Sequence, residues 1–204
     1  MLYEFILICK ILYRKLFYKR YDYYTRKKIK KVYKKEIIMK EIEKKFLVKE
    51  IPNNLEKNTS DTIIQGYLNI ASEPVLRVRA KGNKYFLTYK SSTEKLTSLD
   101  YNICDEYELP ISLEAFEHLK NKVDGNLIVK NRYYIKLNNN LTAELDVFDD
   151  KLKGLILVEV EFEQEDDVKN FVKTDWFGED VSKDKRYRNS FLSTITSLEE
   201  LNKN

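Results

Sequence analysis

From Met39 onward the chain consists of short segments that carry charge on every second residue and apolar groups between. Arg77 and Arg79 alternate with Leu76, Val78 and Ala80, and Thr88 and Lys90 alternate with Leu87 and Tyr89. Glu106 and Glu108 alternate with Tyr107 and Leu109, and Lys130 and Arg132 with Val129 and Tyr133. Glu144 and Asp146 alternate with Leu145 and Val147, and Glu159 and Glu161 with Val158, Val160 and Phe162. In a β-strand residues i and i+2 share a face, so each segment reads as a strand with one charged and one apolar side. A helical period would scatter both sets around the element.

Two architectures accommodate such strands. An antiparallel sheet could turn its charged face to water, or a barrel could enclose it. Two details favour the barrel. The signs segregate by strand, with basic pairs at 77/79 and 130/132 and acidic pairs at 41/43, 106/108, 144/146 and 159/161. A solvated face mixes signs freely. The helices also need an apolar surface to cover, and the outside of a barrel supplies one. A lumen with these fixed charges calls for a ligand of both characters. Carboxylates hold a hard divalent cation, and Arg and Lys grip an elongated anion, so a metal-bound polyphosphate meets both demands.

The pattern predicts eight strands, near residues 40–48, 62–70, 74–81, 85–90, 101–109, 126–137, 141–148 and 155–163. Tight turns stand at Lys81-Gly82-Asn83-Lys84 and Asn138-Asn139-Asn140, and residues 91–98 read as a polar, mobile loop. Helices are predicted over 112–122, capped by Ser112, over 166–176 and over 185–201. The fold class is α+β, mainly β: an eight-stranded antiparallel barrel with helices packed outside. Glu41 and Glu43 share one strand face with Lys45, as do Glu159 and Glu161 on the last strand. Uniting these carboxylates around Mg²⁺ or Mn²⁺ requires the first and last core strands to be neighbours.

Residues 1–38 stand apart. They hold twelve Lys/Arg against three Asp/Glu, a balance of +9, whereas the whole chain is +4, which leaves −5 for residues 39–204. The basic character therefore belongs to this segment. Its apolar stretch, residues 2–12, is too short for a transmembrane span, and no secretory cleavage site follows. Three readings compete: an interfacial basic-aromatic helix, a nucleic-acid contact, or a segment outside the working protein, with translation starting at Met39. No nucleic-acid binding is expected of residues 39–204. Cys9 and Cys104 are the only cysteines, which fits a reducing, cytoplasmic setting. The single histidine, His118, falls on a predicted helix as a surface residue, which argues against a histidine-rich zinc site and a Ser-His-Asp triad.

The residues also resemble a known family. Glu41-Ile42-Glu43-Lys44-Lys45-Phe46 is similar to the ExExK signature of the CYTH superfamily, the triphosphate tunnel metalloenzymes. In order there follow Val75-Leu76-Arg77-Val78-Arg79, Phe86-Leu87-Thr88-Tyr89-Lys90, Lys130-Asn131-Arg132-Tyr133-Tyr134 and Ala143-Glu144-Leu145-Asp146-Val147-Phe148. The set closes with Gly154-Leu155 through Val158-Glu159-Val160-Glu161-Phe162 and with Asp184-Lys185-Arg186-Tyr187-Arg188-Asn189. ExExK alone is common in a Lys/Glu-rich chain; the ordered set is specific, and it covers residues 39–195.

The resemblance implies a triphosphate tunnel that works with a divalent metal. Glu41, Glu43, Glu159 and Glu161 then match the metal-binding carboxylates. Lys45, Arg77, Arg79, Lys90, Lys130 and Arg132 match the phosphate binders, with Arg186 as a further contact from the C-terminal helix. Glu106, Glu108, Glu144 and Asp146 match tunnel carboxylates that orient the basic groups, hold a second metal or position water. Val181-Ser182-Lys183-Asp184 departs from a glycine-containing turn usual in bacterial relatives, which implies a changed turn with the site retained. The implied activity is metal-dependent hydrolysis of a small linear triphosphate, inorganic tripolyphosphate first, by direct water attack. Thiamine triphosphate hydrolysis, a class IV-type adenylate cyclase and a non-catalytic polyphosphate or nucleotide binder are the alternatives. The sequence leaves oligomeric state open.

Overall fold

β1 (Met39–Val48) is the strand on which the sheet closes. The computed structural model describes residues 39–71, 73–92 and 100–202. The readings of residues 1–38, and most of the polar loop after β4, lie outside the described residues. Seven further strands complete the ring: β2 (Thr59–Asn69), β3 (Val75–Lys81), β4 (Lys84–Ser92), β5 (Asn102–Pro110), β6 (Asp124–Lys136), β7 (Thr142–Phe148) and β8 (Ile156–Phe162). The order is β5-β4-β3-β2-β6-β7-β8-β1, and β1 pairs back onto β5, which closes an eight-stranded antiparallel barrel. The first and last barrel strands, β1 and β8, are neighbours, with Glu43 opposite Glu161 and Lys45 opposite Glu159.

Alternation sets what faces where. Ile42, Phe46, Ala143, Leu145, Val158, Val160 and Phe162 form the outer apolar layer on one side. Helix α1 (Leu113–Lys120) covers another outer patch, with Phe116 packed on Val78 and Ala80. Ser112 caps it by accepting the Ala115 N–H at 3.2 Å, and His118 is exposed on it. Gly66 permits close packing beneath this helix, because a Cβ there would meet Val123 Cγ1 at 2.5 Å. Gly82 takes φ +55° in the β3–β4 hairpin, a backbone region that glycine enters without strain.

Two predicted helices are replaced by other structure. The 166–176 helix is a single short one, α2 (Glu165–Lys169), followed by an extra strand, β9 (Phe177–Asp180). β5 pairs with the first half of β1 only, so the same edge stays free near Phe46 and Val48, and β9 takes it. Phe177 is fully buried there, its ring 5.1 Å from that of Phe46. The 185–201 helix is broken into a 3-10 turn at Lys185–Tyr187, α3 (Asn189–Leu192) and a 3-10 turn at Leu198–Asn202. Hydroxyls compete for its backbone: Ser193 Oγ donates to the Ser190 carbonyl and Thr194 Oγ1 to that of Phe191, both at 2.7 Å.

This C-terminal segment does more than cover the outside. Leu192, Ile195 and Leu201 pack against Tyr67, Ile128, Phe148 and Leu157, with Leu47 and Val75 beside them. Those six barrel residues lie on the charged-face register of their strands, at one end of the lumen. That end is therefore apolar and plugged, and the charge lies between the plug and the opposite mouth.

Candidate active site

Strand register stacks the charged residues in the lumen above the plug. Lys45, Arg77, Lys130, Arg132, Asp146 and Glu159 are all buried, Lys130 and Asp146 to 1% exposure. Charge at that depth persists only when paired. Two networks meet this need. In the first, Lys90 Nζ contacts Glu41 and lies 3.2 Å from Glu106. Arg77 Nη2 reaches Glu106 at 3.1 Å, and Arg79 Nη2 reaches Glu108 at 3.5 Å. Thr88, fully buried, donates to Glu108 at 3.2 Å. In the second, Arg132 is the hub. It holds Asp146 through Nε and Nη2, both at 2.6 Å, Glu159 at 2.5 Å, and Glu144. Lys45 lies 2.8 Å from Glu159, and Lys130 pairs with Asp146.

Some groups are left over. Among the described residues, the lumen carboxylates of Glu43 and Glu161 have no ion pair although they stand opposite each other. The buried Nε–H groups of Arg77 and Arg79 have no acceptor. Around the ring β3 lies four strands from β8, so unspent donors and unspent carboxylates occupy opposite walls.

The carboxyl groups respond to this crowding. Burial, with Glu43 and Glu106 nearby, pushes Glu41 up to about 8 despite its contact with Lys90. Glu161 reaches solvent at the mouth, yet the enclosing wall and the carboxylates of Glu144 and Glu159 push it up to about 7. Burial would raise Glu159 too, but Lys45 and Arg132 hold it well below the usual carboxylate range. Burial and the neighbouring Arg132 lower Lys130, whereas Glu43, Glu41 and Glu106 keep Lys90 well above its ordinary value against its own burial.

These groups fit a divalent cation of a particular kind. Among the described residues no three carboxylate, thiol or imidazole groups form a ready-made cage. Mg²⁺ and Mn²⁺ are commonly held by one or two carboxylates plus substrate phosphate, with water completing the shell. The facing, unpaired Glu43 and Glu161, with Glu41 beside them, have that chemistry. Glu159 is committed to Lys45 and Arg132.

Of the residues singled out in the sequence, Arg186 alone is directed elsewhere. Its Nε and Nη2 donate to Asp184 at 3.0 and 2.6 Å, and Nη1 donates to the Leu201 carbonyl at 2.9 Å. It holds the C-terminal segment in shape, because that segment is a broken chain and presents no helix face to the lumen. The neighbouring Tyr187 carbonyl accepts from Lys45 Nζ at 3.3 Å instead. The altered turn is tied in as well: the Ser182 hydroxyl accepts the Lys45 backbone N–H at 2.9 Å, and Asn102 donates to the Ser182 carbonyl at 2.8 Å.

Sequence reasoning missed Gln65 and Tyr67, which line the lumen on β2. Both are buried; Gln65 Nε2 donates to Tyr67 Oη at 3.1 Å, and the phenol lies near Arg77 and Lys45. Their i, i+2 spacing was the available signal, but neither carries charge.

A closed antiparallel barrel with a sign-segregated, ion-paired lumen defines a tunnel protein for a polyanion. The chain belongs to the CYTH domain family, which matches residues 39–196. It is 40% identical over 156 residues to an inorganic triphosphatase of Nitrosomonas europaea, covering 76% of this chain and 97% of that protein. It is 36% identical over 155 residues to an inorganic triphosphatase of Acetivibrio thermocellus, covering 75% and 92%. The crystal structure of an inorganic triphosphatase superposes with a TM-score of 0.58 at 39% identity, over 77% of this chain and 96% of that one.

Proposed function

We propose that residues 39–196 hydrolyse a linear triphosphate, inorganic tripolyphosphate first, with a divalent metal. The observation that carries this reading is the pair of unspent walls. Two buried guanidinium Nε–H donors on β3 face two unpaired carboxylates on β1 and β8 across a lumen whose other cations are already placed. Arg77, Arg79 and Lys90 grip the chain from one side, and Lys45, Lys130 and Arg132 from the other. Glu106, Glu108, Glu144, Asp146 and Glu159 hold those cations in position, which removes the cost of ordering them when substrate arrives. A divalent cation held by Glu43 and Glu161, with Glu41 and Glu159 beside them, supplies neutralisation of phosphate charge.

The Tyr67 hydroxyl stays protonated, because burial raises it, and lies in the same space as Lys45 and Arg77. Direct water attack on the terminal phosphorus is the simplest route. Cys104, the one lumen thiol among the described residues, is buried and pushed up to about 11, so it is no nucleophile at neutral pH. The free thiol and the absence, among the described residues, of any helix long and apolar enough to cross a membrane support the cytoplasm as the place of action.

Phosphate release from tripolyphosphate, ATP and thiamine triphosphate, each with Mg²⁺, Mn²⁺ or EDTA, tests the proposal. Tripolyphosphate should be cleaved fastest, and EDTA should abolish cleavage. Pyrophosphate release from ATP would instead define a cyclase, and metal-independent binding without turnover would define a carrier.

A further inference from the structure

β1 changes partners in the middle of its length. β5 pairs with it from Met39 to Glu43, the last pair being Glu43 opposite Asn102, and β9 takes the same edge only from Phe46. Lys45 falls in the gap between them, and its backbone N–H and C=O point to that edge. The turn after β9 supplies both partners. Val181 N–H donates to the Lys45 carbonyl at 2.9 Å, and the Ser182 hydroxyl accepts the Lys45 N–H at 2.9 Å. The polarity of that hydroxyl is set by a neighbour. Its proton goes to Asp180 Oδ1 at 2.5 Å, an oxygen that also accepts the Ser182 N–H at 3.0 Å, whereas the Lys45 carbonyl lies 3.4 Å away. A serine oxygen that donates to a carboxylate keeps its lone pairs for Lys45. Lys44 holds Asp180 at 3.0 Å, and Asn102 donates to the Ser182 carbonyl at 2.8 Å, so the turn is anchored from β1 and β5 as well. Ser182 is 2% exposed and Lys45 6%, so solvent does not replace the contact.

We infer that Ser182 is a positioning residue for the lumen: it sets the place of Lys45, and through Lys45 the grip on the phosphates. The inference rests on the triphosphatase reading above for what Lys45 holds. Three features carry it. The short segment from Val181 to Tyr187 holds Lys45 at both ends, the backbone through Val181 and Ser182 and Nζ through the Tyr187 carbonyl at 3.3 Å. No strand does this at Lys45 on that edge of β1, so the serine hydroxyl stands where a ladder partner would. Lys45 also lies 2.8 Å from Glu159, which Arg132 holds at 2.5 Å, so a shift of β1 here passes directly into the second ion-pair network. Loss of the hydroxyl leaves a buried N–H without its acceptor, and β1 loosens at its weakest point. A displacement on the order of 1 Å at a group that positions substrate is enough to cost up to about 100-fold in rate.

The test is a double-mutant cycle in the full chain. It is read as calorimetric affinity for tripolyphosphate in EDTA at pH 6.5, and separately as kcat and KM with Mg²⁺. The variants are Ser182→Ala, Ser182→Thr, Lys45→Ala and Ser182→Ala/Lys45→Ala, with Ser193→Ala as control. Ser193 is fully buried in the same C-terminal segment, and its hydroxyl serves the Ser190 carbonyl at 2.7 Å. Ser182→Ala should weaken binding and lower kcat/KM about tenfold, Lys45→Ala about 100-fold, and the double variant no more than Lys45→Ala alone. Ser182→Thr keeps the hydroxyl and should stay within about threefold of wild type. Ser193→Ala should lower Tm as Ser182→Ala does, yet leave affinity and KM within about twofold. Should Ser182→Ala fail to fold, Asp180→Ala replaces it in the cycle, with a loss of about threefold that again vanishes beside Lys45→Ala. Losses that multiply in the double variant, wild-type affinity in Ser182→Ala, or an equal loss in Ser193→Ala would each overturn the inference. Absence of phosphate release from wild type would sink the triphosphatase reading, while the cycle in affinity still decides Ser182.

Discussion

Glu41→Gln should make the ligand-free protein less sensitive to alkali. The native carboxyl of Glu41 is pushed from 4.5 to about 8 by burial and by Glu43 and Glu106. A folded-state value above the unfolded one means that the native state holds the extra proton. Its contribution to stability is fully present below pH 4.5 and is lost as pH rises through about 8. A gap of that size corresponds to an upper limit of nearly 5 kcal/mol at about 1.36 kcal/mol per pH unit. The opposing contact with Lys90 is already contained in the value of about 8, and sharing of the proton with the coupled neighbouring carboxylates reduces the figure to about 2 kcal/mol. For a domain of this size that is a shift of about 4–8 °C in Tm. The assay is thermal unfolding in EDTA from pH 5.5 to 8.5. Wild type should lose Tm relative to Glu41→Gln across that window. Glu159→Gln provides the contrast: its carboxyl is held low by Lys45 and Arg132, so its loss should lower Tm at every pH in the window. Parallel wild-type and Glu41→Gln curves would refute the claim that Glu41 is crowded by like charge.

Three further outcomes are expected. Arg79→Lys keeps the charge but loses the planar fork, so kcat/KM for tripolyphosphate should fall mildly to moderately, whereas Arg79→Ala should cost about 1.5–3 kcal/mol of transition-state stabilisation. Arg186→Ala should leave KM within about twofold and lower Tm by a few degrees, since its guanidinium serves Asp184 and the Leu201 carbonyl; a tenfold rise in KM would return it to the site. A 39–204 chain should fold and hydrolyse tripolyphosphate like the full chain, and a large loss of rate or Tm on truncation would give residues 1–38 a working role.

The barrel was legible because every barrel strand except β2 states its register twice, once in charge and once in apolar residues. A shift of one position in β3 would move Arg77 and Arg79 into the outer apolar layer and Val78 into the lumen, so only one register is viable. The neighbourhood of β1 and β8 followed from the same logic, since four facing carboxylates need shared counter-charge. The C-terminal third was harder to read. Phe177-Gly178-Glu179-Asp180 has no strand signal of its own, and its extended form comes from an edge of β1 that β5 leaves free. The apolar plug was hidden for a similar reason. Leu47, Val75 and Leu157 continue the inward register of charged strands, and only the packed structure shows that the inward face changes character toward one end. Tyr67 and Gln65 escaped because the search followed charge, and neutral donors in a lumen leave no sign pattern.

The charge inventory of the lumen argues that substrate cannot enter alone. Six cations, Lys45, Arg77, Arg79, Lys90, Lys130 and Arg132, face eight carboxylates, Glu41, Glu43, Glu106, Glu108, Glu144, Asp146, Glu159 and Glu161. With all fourteen ionised these groups sum to −2, the mouth residues Asp61, Lys81 and Lys84 bring the sum to −1, and a polyphosphate would add to that excess. Protons on Glu41 and Glu161 can offset it at lower pH, since these carboxyls lie at about 8 and about 7. A divalent cation offsets it at higher pH. Tripolyphosphate binding in EDTA should therefore weaken as pH rises from 6 to 8.5, and Mg²⁺ should flatten that dependence. Calorimetry across this range gives the answer directly. Affinity in EDTA that is constant with pH would mean that the two carboxyls do not sense the substrate, and would move the negative excess out of the binding site.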